Sequence, residues 1–197
     1  MLGRGDNAKF DDEARKLFAR LGLSADGGAS GGKIRGLYNP LDAIWRDTKT
    51  GATIYVGNQQ AAQNASLLKQ HSITHVVNCT DTMPFYHQKE FTYHRFNISF
   101  WPRNSDADEL SRFIAPLWEF IDGALAKGES VLVHCLAGAH RAGTTGVLCL
   151  MRFAGMSSIE AVPAAKRLRP VIDPIGGFPE LLRRYDSIRD RQRQSKQ

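Results

Sequence analysis

Apolar positions recur along this chain in two rhythms, one helical and one extended. From Asn7 to Leu23, the residues Phe10, Ala14, Leu17, Phe18 and Leu21 fall at helical spacing and predict a short amphipathic helix. Asp26 to Gly36, with Gly27-Gly28-Ala29-Ser30-Gly31-Gly32, reads as a flexible linker. The division expected is therefore residues 1–36 as helix plus linker and 37–197 as the main domain. Beyond Leu37 the rhythms alternate. Ala52–Val56, His75–Cys79, Tyr93–Ile98 and Ser130–His134 read as strands, and Gln59–Gln70, Ala107–Lys127 and Thr144–Phe153 as helices, with two more helices after Ser157 and after Gly177. Leu110, Ile114, Leu117, Ile121 and Leu125 give the Ala107 helix its apolar stripe. Strands interleaved with helices predict an α/β fold, a central and mainly parallel sheet flanked by helices. The N-terminal helix is expected to dock on the domain or on a partner.

Length and composition narrow this picture. At 197 residues the chain is expected to bury a full core without staples. The net charge of +6 is concentrated late: Arg152 to Gln197 holds ten Lys/Arg against five Asp/Glu. Such a surface attracts phosphorylated protein, nucleic acid or anionic lipid, but the plainer reading is a solvated helical face. No nucleic-acid motif accompanies it, and no apolar run reaches membrane-spanning length. The first residues lack the apolar core of a signal peptide. Three cysteines at irregular spacing, Cys79, Cys135 and Cys149, form neither a disulfide framework nor a zinc pattern and point to a reducing compartment, cytoplasmic or nuclear.

The candidate chemistry lies where the strand ending in His134 meets a small-residue loop. Cys135 follows the apolar run Val131-Leu132-Val133, Arg141 stands six residues later, and a helix follows Gly143. In α/β sheets ligands bind beyond the carboxyl ends of strands. A loop there can aim its N–H groups inward while the next helix contributes its positive end, which makes an anion cradle. Leu136, Ala137, Gly138, Ala139 and His140 would line it, the small side chains letting the backbone close around a phosphate. Arg141 can grip two phosphoryl oxygens with its fork. A cysteine at a helix N-terminus beside a cation is favoured as thiolate, and a thiolate there can attack phosphorus to form a phosphocysteine that water then hydrolyses. Arg141 and the amides would neutralise the phosphoryl oxygens, so no metal or cofactor is required.

His134-Cys135-x5-Arg141 matches the protein-tyrosine-phosphatase signature, and the stretch from about Thr53 to Asp186 resembles the small dual-specificity phosphatases. Thr53-Ile54-Tyr55-Val56-Gly57-Asn58 with Ala61-Ala62-Gln63, Ile73-Thr74-His75-Val76-Val77-Asn78, Glu119-Phe120-Ile121-Asp122, Gly155-Met156-Ser157 and Asp173-Pro174-Ile175-Gly176-Gly177-Phe178 carry it. The resemblance implies a protein-tyrosine-phosphatase-like fold. It also implies hydrolysis of phosphotyrosine, and of phosphoserine or phosphothreonine, on phosphorylated protein substrates. Cys135 would be nucleophile and Arg141 phosphate ligand. His134 would tune the thiolate through a buried hydrogen bond to backbone, and His140 would sit on the pocket rim or simply be solvated.

Three positions depart from the family pattern. Arg103 of Trp101-Pro102-Arg103 stands where a general-acid Asp is expected, which leaves Asp106, then Asp108, as candidates unless they only cap the Ala107 helix. They stand 29 and 27 residues before Cys135. Ala142 replaces the usual Ser or Thr after Arg141, with Thr144 as a conceivable substitute, and Ile175 replaces an Asn. These departures keep two alternatives open: a catalytically weak phosphate reader, and a phosphoinositide or phosphoglucan phosphatase. Some relatives pair the nucleophile with a cysteine in the region of Cys79, which here is expected to be buried and inert.

Overall fold

The computed structural model describes residues 4–24 and 38–194; the linker read at Asp26–Gly36 lies outside the described residues. A five-stranded sheet in the order β1-β2-β5-β3-β4 forms the centre. Its strands are β1 (Leu41–Arg46), β2 (Thr53–Gly57), β3 (Ile73–Asn78), β4 (Thr92–Arg95) and β5 (Ser130–His134). All pairings are parallel except β1 with β2. Among the described residues seven α-helices and a 3-10 turn at Ile98–Phe100 accompany them: α1 (Arg4–Arg20), α2 (Gln59–Gln63), α3 (Ala65–Gln70), α4 (Ala107–Leu125), α5 (Arg141–Phe153), α6 (Ser158–Leu168) and α7 (Phe178–Gln194). No helix among the described residues is long and apolar enough to cross a membrane.

Strand periodicity divides the interior into two layers. Val131 and Val133 of β5 point, with Ile54, Val56 and Val77, into a core completed by Ile114 and Leu117 of α4, Val147 and Leu148 of α5 and Leu181 of α7. Leu132 points the opposite way, with Val76 and Ile73, onto Ala61, Ala62 and Leu68 of α2 and α3. β5 is thus buried on both faces, which is why it reads as a continuous apolar run rather than an alternating one.

The structure adjusts several boundaries. The helix expected over Gln59–Gln70 is two helices, because Asn64 ends α2 and its side chain accepts from Leu67 N–H to start α3. Cys79 lies just past β3 rather than within it. The helix after the loop begins at Arg141, three residues before the expected Thr144. β1 was not expected at all. It turns into β2 through Asp47–Gly51, where the Asp47 carboxylate accepts from Lys49 N–H and Thr50 Oγ1–H, and Gly51 takes φ +79°. The alternation of β1 is interrupted by an irregularity between Ala43 and Trp45, so no clean period-2 signal survives.

Candidate active site

Parallel pairing sets His134 beside Gly57 on one side and Asn78 on the other. The chain after Cys135 therefore leaves the sheet at the carboxyl ends of three neighbouring strands. From there every carbonyl of the loop is drawn outward. Leu136 O accepts from Gln59 N–H, and Ala139 O from Asp173 N–H. Ala137 O accepts from the Tyr38 hydroxyl (2.8 Å) and Arg169 Nη2 (3.2 Å), and Gly138 O from Arg169 Nε (3.0 Å). His140 O takes the Thr144 amide and hydroxyl. With the carbonyls turned out, the amides turn in, and among the described residues the N–H groups of Leu136 to His140 find no acceptor. The α5 N-terminus adds its own: His140 is the N-cap position and its side chain makes no capping bond. Unengaged amides beside an uncapped helix start form a site for an anion.

Close packing makes this path possible at only one residue type. Gly138 has φ +65°, and a Cβ there would stand 2.5 Å from the Gly57 carbonyl oxygen. Gly57 is constrained in turn, since its own Cβ would meet Leu132 Cδ1 and Pro40 O at 2.9 Å. The two glycines let the loop lie directly on the end of β2.

The expected nucleophile and the expected phosphate ligand stand at the two ends of the loop. Cys135 heads the loop and Arg141 begins α5, and they are 3% and 1% exposed. One guanidinium nitrogen of Arg141, Nη2, donates to the Asp11 carboxylate of α1. Around the loop, Phe10 stacks on Phe178 at 4.6 Å, and Ala14 and Phe18 pack with Leu136, Ala137 and Ala139.

Two histidine expectations are corrected. The His134 ring makes no hydrogen bond to backbone; neither nitrogen finds a partner among the described residues. Burial first, then the Arg95 and Arg141 guanidiniums, push it down to about 3, so the buried ring is neutral. His140 is buried rather than solvated, its Nδ1 facing the Asp173 carbonyl at 2.8 Å; a carbonyl only accepts, so that nitrogen carries the hydrogen.

The candidate acids lie on a fastened segment. Asp106 is the N-cap of α4, its carboxylate accepting from Glu109 N–H at 2.8 Å, and Asp108 is exposed in the first turn. Trp101 is buried, and Arg184 of α7 stacks over its ring at 5.6 Å while donating to the carbonyls of Arg103 and Ser105. The Arg103 side chain lies against Gly177, whose Cβ would come within 3.1 Å of it. Thr144 serves as an ordinary helix hydroxyl, bonded to His140 O at 2.6 Å, and Ile175 packs against the larger core.

Cys79 is fully buried, and its S–H donates to Thr145 Oγ1 at 3.4 Å. Burial pushes its thiol well above the usual range. All three cysteines are free.

Four residues important to the site escaped the sequence reading: Arg169, Tyr38, Arg184 and Asp11. Arg169 is fully buried and reaches the loop, Asn39 O (2.9 Å) and the Asp42 carboxylate (2.6 Å) at once, with its guanidinium 5.2 Å from the Tyr38 ring. Burial pushes the Tyr38 hydroxyl up to about 12, keeping it protonated as a donor. The only local trace of Arg169 was an arginine between a helix and Pro170, which marks a helix end and nothing more.

Comparison with known proteins agrees with this architecture. A family model described as the dual specificity phosphatase catalytic domain matches residues 54–188. Protein phosphatase Slingshot homolog 3 of Mus musculus is 32% identical over 146 residues, covering 72% of this chain and 21% of its own length. Dual specificity protein phosphatase 1 of Arabidopsis thaliana is 32% identical over 125 residues, covering 64% of this chain and 61% of its own. The chain thus spans about a fifth and about three fifths of these relatives. Among solved structures, a mouse dual specificity phosphatase complexed with zinc tungstate superposes with a TM-score of 0.64 at 26% identity, over 83% of this chain and 96% of that one. The matched stretch runs from the second strand into the last helix and encloses the whole loop, and on that ground the chain belongs to the dual-specificity phosphatase family.

Proposed function

We propose that this protein hydrolyses phosphate monoesters on phosphorylated proteins, phosphotyrosine foremost and phosphoserine or phosphothreonine more slowly. The observation that carries the reading is the loop whose carbonyls are all tied outward, with unengaged amides and Arg141 around Cys135. Three phosphoryl oxygens would take the amides and the guanidinium fork, aligning phosphorus with the Cys135 sulfur. The thiolate attacks in line: the S–P bond forms as the ester P–O bond breaks, and the leaving oxygen takes a proton from solvent water. Water then attacks the phosphocysteine, the S–P bond breaks, and inorganic phosphate departs with the thiolate restored.

The preference for aryl esters follows from the acid segment. Asp106 is engaged as a helix cap and Arg103 cannot give up a proton at neutral pH. A phenolate departs with less proton assistance than an alkoxide, so phosphotyrosine suffers least. A thiolate nucleophile beside free cysteines suits a reducing compartment, the cytoplasm or nucleus. The test is Cys135→Ser: turnover of 4-nitrophenyl phosphate should vanish while tungstate still binds. Substantial hydrolysis by the serine variant, or none by the native protein, would reject the reading.

A further inference from the structure

A loop built to receive a phosphate from another molecule is covered here by the protein itself. Cys135 and Arg141 are buried, and what lies over the loop is α1. Asp11, Ala14 and Phe18 share one face of that helix by their spacing. Ala14 and Phe18 pack with Leu136, Ala137 and Ala139, and Asp11 meets Arg141. Phe10, beside Asp11, stacks on Phe178 and brings its ring to 6.0 Å from the Arg141 guanidinium. A charged side chain set into an apolar stripe is costly unless a partner awaits it. Its partner here is the arginine that would grip phosphoryl oxygens. Its neighbours Asp12 and Glu13 pair instead with Lys16 of the same helix, at 3.1 and 2.8 Å.

Resting on the phosphatase reading above, we propose that α1 is an intramolecular occupant of the phosphate site: Asp11 holds Arg141 in place of a phosphoryl group, and the loop admits substrate only when α1 lifts. Carboxylate and phosphate compete for one guanidinium, so the covered and substrate-bound states exclude each other. The contacts named here, the apolar packing of Phe10, Ala14 and Phe18 and the Asp11–Arg141 ion pair, are ones that a tight partner or substrate can displace. Along one edge it is unsealed, leaving a cleft of about 510 Å³ between Lys9, Phe10 and Glu13 of α1 and Arg103, Ile175 and Gly177 of the body.

When only the open fraction binds, apparent affinity falls by that fraction. In the full-length protein, Asp11→Ala and Phe10→Ala should each raise the open fraction. We expect about a tenfold gain in three readouts, equivalent to about 1.4 kcal/mol: kcat/KM for 4-nitrophenyl phosphate, tungstate affinity by calorimetry, and the rate of Cys135 alkylation by iodoacetamide, followed by peptide mass spectrometry. Asp12→Ala, on the outward face, should leave all three unchanged. Variants within twofold of the native protein in alkylation and tungstate binding would overturn the proposal. So would a fall in kcat/KM for Asp11→Ala at unchanged alkylation, which would make Asp11 a participant in turnover. Faster alkylation and tighter tungstate binding without turnover in any variant would uphold the cover and reject the phosphatase reading instead.

Discussion

Arg169→Lys isolates what holds the loop in shape, because it keeps the charge and discards the fork. Arg169 spans four acceptors: Gly138 O at 3.0 Å, Ala137 O at 3.2 Å, Asn39 O at 2.9 Å and Asp42 Oδ2 at 2.6 Å. An ammonium donates from a single point and can keep Asp42 but cannot also reach the two loop carbonyls. Gly138 O would then be buried and unpaired, at a cost of about 1–3 kcal/mol. Ala137 O would retain only the Tyr38 hydroxyl, and the guanidinium would no longer lie on the Tyr38 ring, adding about 1 kcal/mol. We expect about 3 kcal/mol of lost stability in urea unfolding, which a domain of ordinary stability survives folded. The functional loss should be separate from this. Peptide planes released from Arg169 can rotate and turn a carbonyl into the cradle, so tungstate affinity of the folded variant should fall by at least about tenfold. Calorimetry at low temperature, with folding checked by circular dichroism, reads that loss directly. A stability loss below about 1 kcal/mol, or native tungstate affinity in a destabilised variant, would refute the claim that Arg169 orients the loop.

Three further outcomes are expected. Asp106→Asn keeps a good helix cap while Asp106→Ala loses one, so only the alanine should cost about 1 kcal/mol in urea; selective slowing of alkyl over aryl phosphates by the asparagine would restore Asp106 as proton donor. Because His134 is pushed down to about 3, the unfolded chain takes up a proton near pH 6.5 that the folded chain refuses, so stability is full above that pH and falls below it, by about 2 kcal/mol at pH 5; His134→Gln should flatten the difference between pH 8 and pH 5 by that amount. Mild peroxide should oxidise Cys135 without linking it to Cys79, whose thiol is held neutral by burial; a Cys79–Cys135 peptide in non-reducing mass spectrometry would contradict this.

Most of the alternating architecture was legible because it is written in local periodicity. The apolar runs at Ser130–His134 and Thr53–Gly57, the stripe of α4 and the strand–Cys–loop–Arg–helix order all lie within short windows of sequence. β1 was not legible because its rhythm is broken at Ala43–Trp45, and the split of α2 from α3 hung on one Asn64 side chain. The supports of the site were hidden for a different reason. Arg169 meets Asp42 across 127 residues, Arg184 meets Arg103 across 81, and Arg141 meets Asp11 across 130. No spacing rule relates such pairs. For Asp106 the sequence admits both acid and cap because both roles place a carboxylate just before a helix; the bond from Glu109 N–H engages it as a cap.

The grip of Arg184 on Arg103 and Ser105, with Trp101 buried beneath it, bears on the rhythm of turnover. Where a loop must swing shut and open in every cycle, thickening the solvent slows the enzyme, since the swing works against viscous drag. Here the segment between β4 and α4 is pinned to α7 and has little distance to travel. Each cycle would then be paced by bond breaking at phosphorus, and kcat would keep its value in sucrose solutions that double the viscosity of water.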